Sequence, residues 1–161
     1  MKKIEVILSV MEYESEEELE QQDRNLVQHA IQAAKNAYAP YSGFRVGAAV
    51  LLDNGKIITG NNQENAAYPS GLCAERVALF AANAQYPYVP VKALAVVAFN
   101  HDQMTDYAVA PCGACRQVMI ETEMRFSQPI RVILVGKSNI LVFKNVKELL
   151  PFSFTSKELK S

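Results

Sequence analysis

The stretch IRVILVGKSNILVF, residues 130–143, consists of two apolar runs joined by only the four residues GKSN, 136–139. Both runs, 130–135 and 140–143, are predicted to be strands, because they are short and rich in β-branched residues. Parallel neighbours would need a crossover of a dozen or more residues, so this connection predicts an antiparallel pair. The fold therefore contains a sheet with antiparallel strands near the end of the chain.

Upstream of this pair, the apolar pattern predicts further strands. Residues 44–52 and 56–60 flank Asp53-Asn54-Gly55, and an Asn-Gly between two apolar runs is a strong hairpin signal. The mostly apolar run 91–99 is typical of a strand buried on both faces. Residues 4–10 place Ile, Val, Leu and Val at alternate positions, which predicts another short strand at the start.

Helical patterns alternate with these strands. A capping box, Ser15-x-x-Glu18, is followed by apolar residues at helical spacing up to Pro40, which ends the predicted helix. Two further helices are predicted over residues 73–82 and 113–122. Helices interleaved with apolar strands predict a layered α/β sandwich around one mixed sheet.

Length and composition predict one domain, residues 1–161, with half of the residues apolar and a formal net charge of −1. That balance offers no basic face for nucleic acid. The longest apolar run, 93–99, is too short to span a bilayer. The start of the chain has no signal-peptide core, because Glu5 interrupts the run and further glutamates follow. We expect a cytoplasmic protein that binds neither nucleic acid nor membrane.

The three cysteines are Cys73, Cys112 and Cys115, and the odd count argues against a disulfide framework. In a reduced compartment such a set indicates metal binding or redox chemistry. The segments around them each open a predicted helix, and helix N-termini stabilise thiolates. Three thiolates can hold Zn²⁺ and leave a fourth position open, as in a catalytic site. A closed structural site that adds His101, or a buried redox pair, is the alternative.

Cys73-Ala74-Glu75 and Pro111-Cys112-Gly113-Ala114-Cys115 match the pattern of zinc-dependent deaminases. Together with residues 41–49, 60–66, 68–76, 111–117, 149–151 and 153–154, they make the chain resemble the small homotetrameric cytidine deaminases. The resemblance begins near residue 25, and residues 1–24 have no counterpart. It implies a three-layer α-β-α sandwich with a five-stranded mixed sheet whose last two strands are antiparallel. Relatives that act on polynucleotides pair those strands in parallel, so RNA or DNA editing is not expected.

The resemblance also implies the catalytic centre. Glu75 is the matched proton-transferring residue, and one Zn²⁺ per chain is expected on Cys73, Cys112 and Cys115. Three thiolates leave the Zn²⁺ site with a net charge of −1, which a nearby hydrogen-bond donor offsets. The family gives this part to the arginine that matches Arg76, and Arg116 is a second candidate.

Five further positions are matched to substrate binding. Asn62 and Glu64 are expected to hold the ribose, chiefly its 3′-hydroxyl, and the backbone N–H of Ala74 to bind the pyrimidine O2. Phe44 and Phe154 are expected to line the pyrimidine pocket. Phe154 would reach the site of a neighbouring subunit, so a homotetramer with shared active sites is predicted.

The expected reaction is the hydrolytic deamination of cytidine and 2′-deoxycytidine to uridine and 2′-deoxyuridine plus ammonia, a step of pyrimidine salvage. Zn²⁺ is the one cofactor this requires. Two alternatives stay open at this point. One is a deaminase of another cytosine nucleoside, such as blasticidin S, and the other is a non-catalytic zinc-binding scaffold.

Overall fold

A computed structural model describes residues 1–159 of the chain. Its helices and strands follow one another in this order: β1 Met11–Tyr13, α1 Gln21–Lys35, β2 Phe44–Leu52, β3 Ile57–Asn61, α2 Ala74–Gln85, β4 Val91–Asn100, β5 Gln103–Met104, α3 Gly113–Phe126, β6 Arg131–Val135 and β7 Ile140–Phe143. None of the helices in this part of the chain is both long and apolar enough to cross a membrane.

All the strands join one mixed sheet. Its order is β1-β7-β6-β4-β2-β3, and β5 pairs with β4 beside this path. The β4 and β6 strands run parallel, whereas β6 and β7 are antiparallel, as the four-residue connection predicted. The predicted hairpin at Asp53-Asn54-Gly55 is also present, since β2 and β3 pair antiparallel around it.

Helices cover both faces of the sheet, as the three-layer prediction requires. One apolar core joins α1 to sheet residues such as Ala49, Ala95 and Ile133. The other joins α2 and α3 to alternate residues of the same strands, among them Val96 and Leu134. The two cores interleave along each strand because successive strand side chains point to opposite faces.

The prediction of a five-stranded sheet is wrong, because the sheet has seven strands. One added strand, β1, lies antiparallel to β7 at the edge of the sheet. The other, β5, returns along β4 through a tight turn in which His101 adopts a positive φ of 56°. Both additions are short, so neither alters the core.

The strand predicted over residues 4–10 is also misplaced, because β-pairing begins at Met11. The partner strand β7 ends at Phe143 and is followed by a 3-10 helix, Val146–Glu148, so residues 4–10 extend past the end of their neighbour. The capping box at Ser15 and Glu18 is present, but it caps a 3-10 turn, Glu16–Glu18, and α1 begins at Gln21.

Candidate active site

The three cysteines meet where α2 and α3 begin. Cys73 is the N-cap residue of α2, Cys112 is the N-cap residue of α3, and Cys115 lies in the first turn of α3. The Sγ atoms of Cys73 and Cys112 are 3.9 Å apart, and those of Cys112 and Cys115 are 3.5 Å apart. All three sulfur atoms lie within 4.8 Å of one another.

This spacing fits a metal ion. Tetrahedral Zn–S bonds of about 2.3 Å hold two sulfur atoms about 3.8 Å apart, close to the distances observed. No histidine joins the cluster in residues 1–159, so the closed alternative through His101 has no support there. Instead, the His101 ring lies beside Gly43, where an added Cβ would come within 2.6 Å of its Nδ1. The donor set is the open three-thiolate kind.

Hydrogen bonds inside the cluster give Cys73 and Cys115 very different pKa values. The pKa of Cys73 is lowered to about 5, chiefly because Cys115 donates to its sulfur, with further help from Arg76. The pKa of Cys115 is raised by that same hydrogen bond, since losing its proton would break the bond, and by burial. In the metal-free protein Cys73 is therefore the first thiol to ionise.

Glu75 lies in the first turn of α2, beside the cluster, and only 4% of it is exposed. Burial raises the pKa of its carboxyl above the ordinary value, and the nearby Cys73 charge adds to the shift. A carboxyl with a raised pKa takes up and releases protons at a higher pH than an ordinary carboxyl does. The position and the acidity both suit a general acid and base.

Arg76 follows Glu75 and points at the cluster. Its Nη2 donates to the Cys73 Sγ over 3.4 Å. Its Nε is buried and has no partner among residues 1–159. A positive donor on a thiolate withdraws charge from that sulfur. The role predicted for Arg76 would use this contact.

Arg116 points elsewhere. Its Nε donates to the Pro111 carbonyl over 2.7 Å, and its Nη1 donates to the Leu149 carbonyl over 2.9 Å. The neighbouring Gln117 donates from Nε2 to the Phe154 carbonyl over 2.8 Å. These contacts tie α3 to the backbone of the C-terminal segment. Gln117 was within the matched stretch 111–117, but its position there did not indicate this contact.

A cavity of about 400 Å³ opens beside the cluster, a volume within the usual range for a small-molecule site. Its wall brings together these predicted residues: Phe44, Asn62, Glu64, Cys73, Glu75 and Cys112. Val109 and Ala110, just before the second cysteine segment, also line it, and no motif in the sequence singles them out. A neighbouring cavity of about 590 Å³ continues past Tyr68 and Arg76.

Asn62 and Glu64 also hold the chain around the cavity. The Asn62 Oδ1 accepts from the Val46 N–H over 2.7 Å, and its Nδ2 donates to the Phe44 carbonyl over 2.9 Å. Glu64 accepts from the Tyr41 N–H over 2.8 Å and from the Ser42 hydroxyl over 2.5 Å. The Ser42 hydroxyl, followed by the Tyr41 N–H, lowers the pKa of Glu64, so this carboxyl stays ionised.

Ala74 and Phe154 complete the predicted set. Ala74 is fully buried as the first residue of α2, where helix N–H groups have no partner within the helix. Gly60 brings β3 close to this turn, since a Cβ there would lie 2.6 Å from the Ala74 carbonyl oxygen. Phe154 is 60% exposed and is absent from the cavity wall formed by the described part of its own chain.

The fold and the cluster together define an α/β protein with a site built for a catalytic metal ion. The family model described as the cytidine and deoxycytidylate deaminase zinc-binding region matches residues 20–127, and the chain belongs to this family. A cytidine deaminase from Halalkalibacterium halodurans is 44% identical over 134 residues, which are 83% of this chain and 95% of that protein.

Solved structures agree with this relationship. The crystal structure of cytidine deaminase from Burkholderia pseudomallei superposes with a TM-score of 0.71 at 43% identity, covering 81% of this chain and 97% of that one. The cytidine deaminase from Mycobacterium tuberculosis gives a TM-score of 0.63 at 35% identity, covering 81% and 94%. The β1 strand at the edge of the sheet lies outside the residues that the family model matches.

Proposed function

We propose that this protein is a cytidine deaminase, which hydrolyses cytidine and 2′-deoxycytidine to uridine and 2′-deoxyuridine plus ammonia. The observation that carries the proposal is the buried Glu75 beside three thiols that can hold a metal ion. Glu75, Cys73 and Cys112 line one cavity of about 400 Å³. Relatives of closely similar length are named cytidine deaminases, which supports the same activity. Pyrimidine salvage in the cytoplasm is the setting that suits this reaction.

Cys73, Cys112 and Cys115 would hold one Zn²⁺, a Lewis acid that activates water near neutral pH. Glu75 moves the protons. It first takes one from the attacking water and passes it to the ring N3, which makes C4 more electrophilic. The water oxygen bonds to C4. Glu75 then takes the remaining proton from this oxygen and delivers it to the amine, so that the C4–N bond breaks, ammonia leaves and the oxygen stays on C4 as a carbonyl. A single carboxylate can serve both transfers because N3 and the amine are both bonded to C4, the atom that the water attacks.

The cavity orients the pyrimidine for this sequence of transfers. Ala74, between Cys73 and Glu75 in the first turn of α2, would donate its N–H to the pyrimidine O2. Phe44 would contact the ring from the cavity wall. Arg76 draws charge from the Cys73 thiolate through its Nη2 contact. With Zn²⁺ bound, that withdrawal would offset part of the negative charge that three thiolate ligands bring. Arg116 has a different role, because it donates to the Pro111 and Leu149 carbonyls and not to a cysteine sulfur.

The ribose lies toward Asn62 and Glu64. The ionised Glu64 is an acceptor, so a free 3′-hydroxyl donates a charge-assisted hydrogen bond to it. A 3′-phosphate would remove that donor and add a second negative charge. We therefore expect free nucleosides to be substrates, and oligonucleotides and free cytosine to be rejected.

The assembly proposed here is a homotetramer with shared sites. Phe154 is exposed on its own chain, and Gln117 holds the backbone of that residue. A neighbouring subunit's cavity is the place where this ring would be buried.

The test is a substrate panel with ammonia release measured beside the zinc content of each chain. The panel contains cytidine, 2′-deoxycytidine, blasticidin S, free cytosine and a cytosine-containing single-stranded DNA. We expect turnover of the first two with about one zinc per chain. Turnover of blasticidin S alone would show that this compound, and not cytidine, is the substrate. Bound zinc without turnover of any compound would indicate a binding scaffold, and turnover of the DNA would overturn the ribose assignment.

A further inference from the structure

Residues 4–10 form an apolar segment that contacts little of the described chain. Ile4, Val6, Ile7, Leu8 and Val10 are between 49% and 90% exposed. The segment precedes residue 20, where the match to the family model begins. The deaminase site therefore gives no explanation for five exposed apolar side chains, which usually mark an interaction surface.

The segment runs directly into β1, the edge strand of the sheet. Residues Met11 to Tyr13 pair with β7 on one side only, because β1 is the end of the strand order. An edge strand presents unpaired N–H and C=O groups along its free side, which another strand can bind. Residues 4–10 form no helix or strand of their own and lead without a break into β1. Pairing of this segment would therefore lengthen the free edge of the sheet.

We propose that this edge pairs antiparallel with the same segment of a second copy of the chain. In an antiparallel pair, directly opposed side chains lie on the same face. The register in which Ile7 lies opposite the second copy's Ile7 sets Ile4 against Val10 and Val6 against Leu8. Every apolar residue of the alternating face then meets another apolar residue.

Other registers lose this match. A shift of two residues in one direction sets Ile4 against Glu12, and a shift in the other direction sets Lys2 against Val10. A shift of one residue brings opposite faces of the two segments together, and it sets Glu5 against Val10 in one direction and against Leu8 in the other. The pattern of the segment therefore selects one register, and that register has twofold symmetry, as in most homodimers.

Charge favours the same register, because it places Lys2 opposite Glu12 at both ends of the pair. Glu12 is already oriented by the chain, since its Oε1 accepts from the Asn139 Nδ2 over 2.7 Å. A carboxylate has acceptor capacity for a lysine as well. No two like charges face each other, which would be unfavourable in a strand pair. The sequence of the segment therefore favours a second copy of the chain as its partner.

The proposal is independent of the deaminase function, because none of these residues lines the cavity or binds the metal. Its test uses the full zinc-loaded chain with one cysteine introduced at a time, under mild oxidation. Ile7→Cys should form a disulfide-linked dimer, seen on a non-reducing gel. Lys56→Cys, exposed in the β2–β3 turn, is the matched control, and the native chain is the blank.

Ile7→Cys should cross-link at least about tenfold faster than Lys56→Cys, because paired thiols have an effective concentration in the millimolar range. Ile4→Cys and Val10→Cys should each cross-link slowly alone and quickly when mixed. Equal rates for Ile7→Cys and Lys56→Cys would overturn the pairing. Fast cross-linking of Ile4→Cys by itself would overturn the register.

A charge exchange supplies a second measurement, made on the Ile7→Cys background. Lys2→Glu or Glu12→Lys alone should slow cross-linking, and the two variants mixed should restore it, since each then meets an opposite charge. Failure of the mixture to recover would contradict the proposed pairing. Binding of the native chain to neutral phosphatidylcholine vesicles, with no cross-linking at residue 7, would show that lipid covers the segment instead.

Discussion

Glu75 is the residue whose chemistry no neighbour can replace. Glu75→Gln keeps the shape and the burial but removes the proton exchange. General acid and base groups contribute about 10²–10⁴-fold, and this one serves several transfers, so kcat should fall by at least about 10⁴-fold. Zinc content and thermal unfolding should stay unchanged. Glu121→Gln, an exposed glutamate of α3, is the matched control, and near-normal turnover of Glu75→Gln would contradict the mechanism.

The acidity of Cys73 gives a second prediction at the residue scale. Its pKa in the metal-free protein is about 5, so one thiolate should persist as the pH falls from 9 and disappear only near pH 5. Arg76→Ala removes a donor to that sulfur and should raise the midpoint. Thiolate absorbance in the ultraviolet measures the titration midpoint in the native chain and in Arg76→Ala. A metal-free protein whose thiols all titrate near their ordinary pKa would contradict the observed hydrogen bonds.

At the scale of elements, the position of α2 depends on Gly60. A Cβ at this residue would lie 2.5 Å from the Ala78 backbone nitrogen and 2.6 Å from the Ala74 carbonyl oxygen. Gly60→Ala should push α2 away from β3 and cost about 1–3 kcal/mol of unfolding free energy. It should also weaken zinc binding, because Cys73 begins that helix.

Gly113→Ala is the control for this change. Gly113 begins α3 between the two later cysteines, but no heavy atom lies within 4 Å of an added Cβ. Urea unfolding and zinc titration of both variants distinguish the effect of close packing at Gly60 from the effect of replacing any glycine by alanine. Equal behaviour of the two variants would show that the approach of α2 to β3 does not position the site.

The second prediction about elements concerns the contact between α3 and the C-terminal segment. Arg116→Ala leaves the Pro111 and Leu149 carbonyls without their donors, and should lower the unfolding free energy by about 1–3 kcal/mol. The pH midpoint of the Cys73 thiolate should not move, whereas Arg76→Ala moves it. Lys144→Ala, exposed after β7, is the stability control. A shifted midpoint in Arg116→Ala would return Arg116 to the sulfur cluster.

At the scale of the whole molecule, shared active sites predict complementation. Glu75→Gln chains still supply Phe154, and Phe154→Ala chains still supply Glu75. Refolding the two inactive variants together should therefore yield activity above the sum of the separate preparations. Light scattering should show a tetramer in each case. An active monomer, or a mixture with no gain, would contradict the assignment of Phe154 to a neighbouring subunit.

The sequence by itself was enough to predict the features set by short-range pattern. The hairpin at Asp53-Asn54-Gly55, the antiparallel last pair and the alternating helices follow from spacing along the chain. The three cysteines were identified in the same way, because ligand type and helix starts are local properties. Their meeting within 4.8 Å agrees with that prediction.

Only the tertiary structure decided which partner each polar side chain finds. Arg76 lies three residues after Cys73, and Arg116 lies four residues after Cys112. Nevertheless, Arg76 donates to the Cys73 sulfur, whereas Arg116 donates to the Leu149 carbonyl. The added strand β1 likewise depends on β7, its partner in the sheet. Asn139, just before β7, donates to Glu12 of β1 across 127 residues of sequence. Packing brings together residues that are remote in the chain, and local periodicity carries no information about that distance.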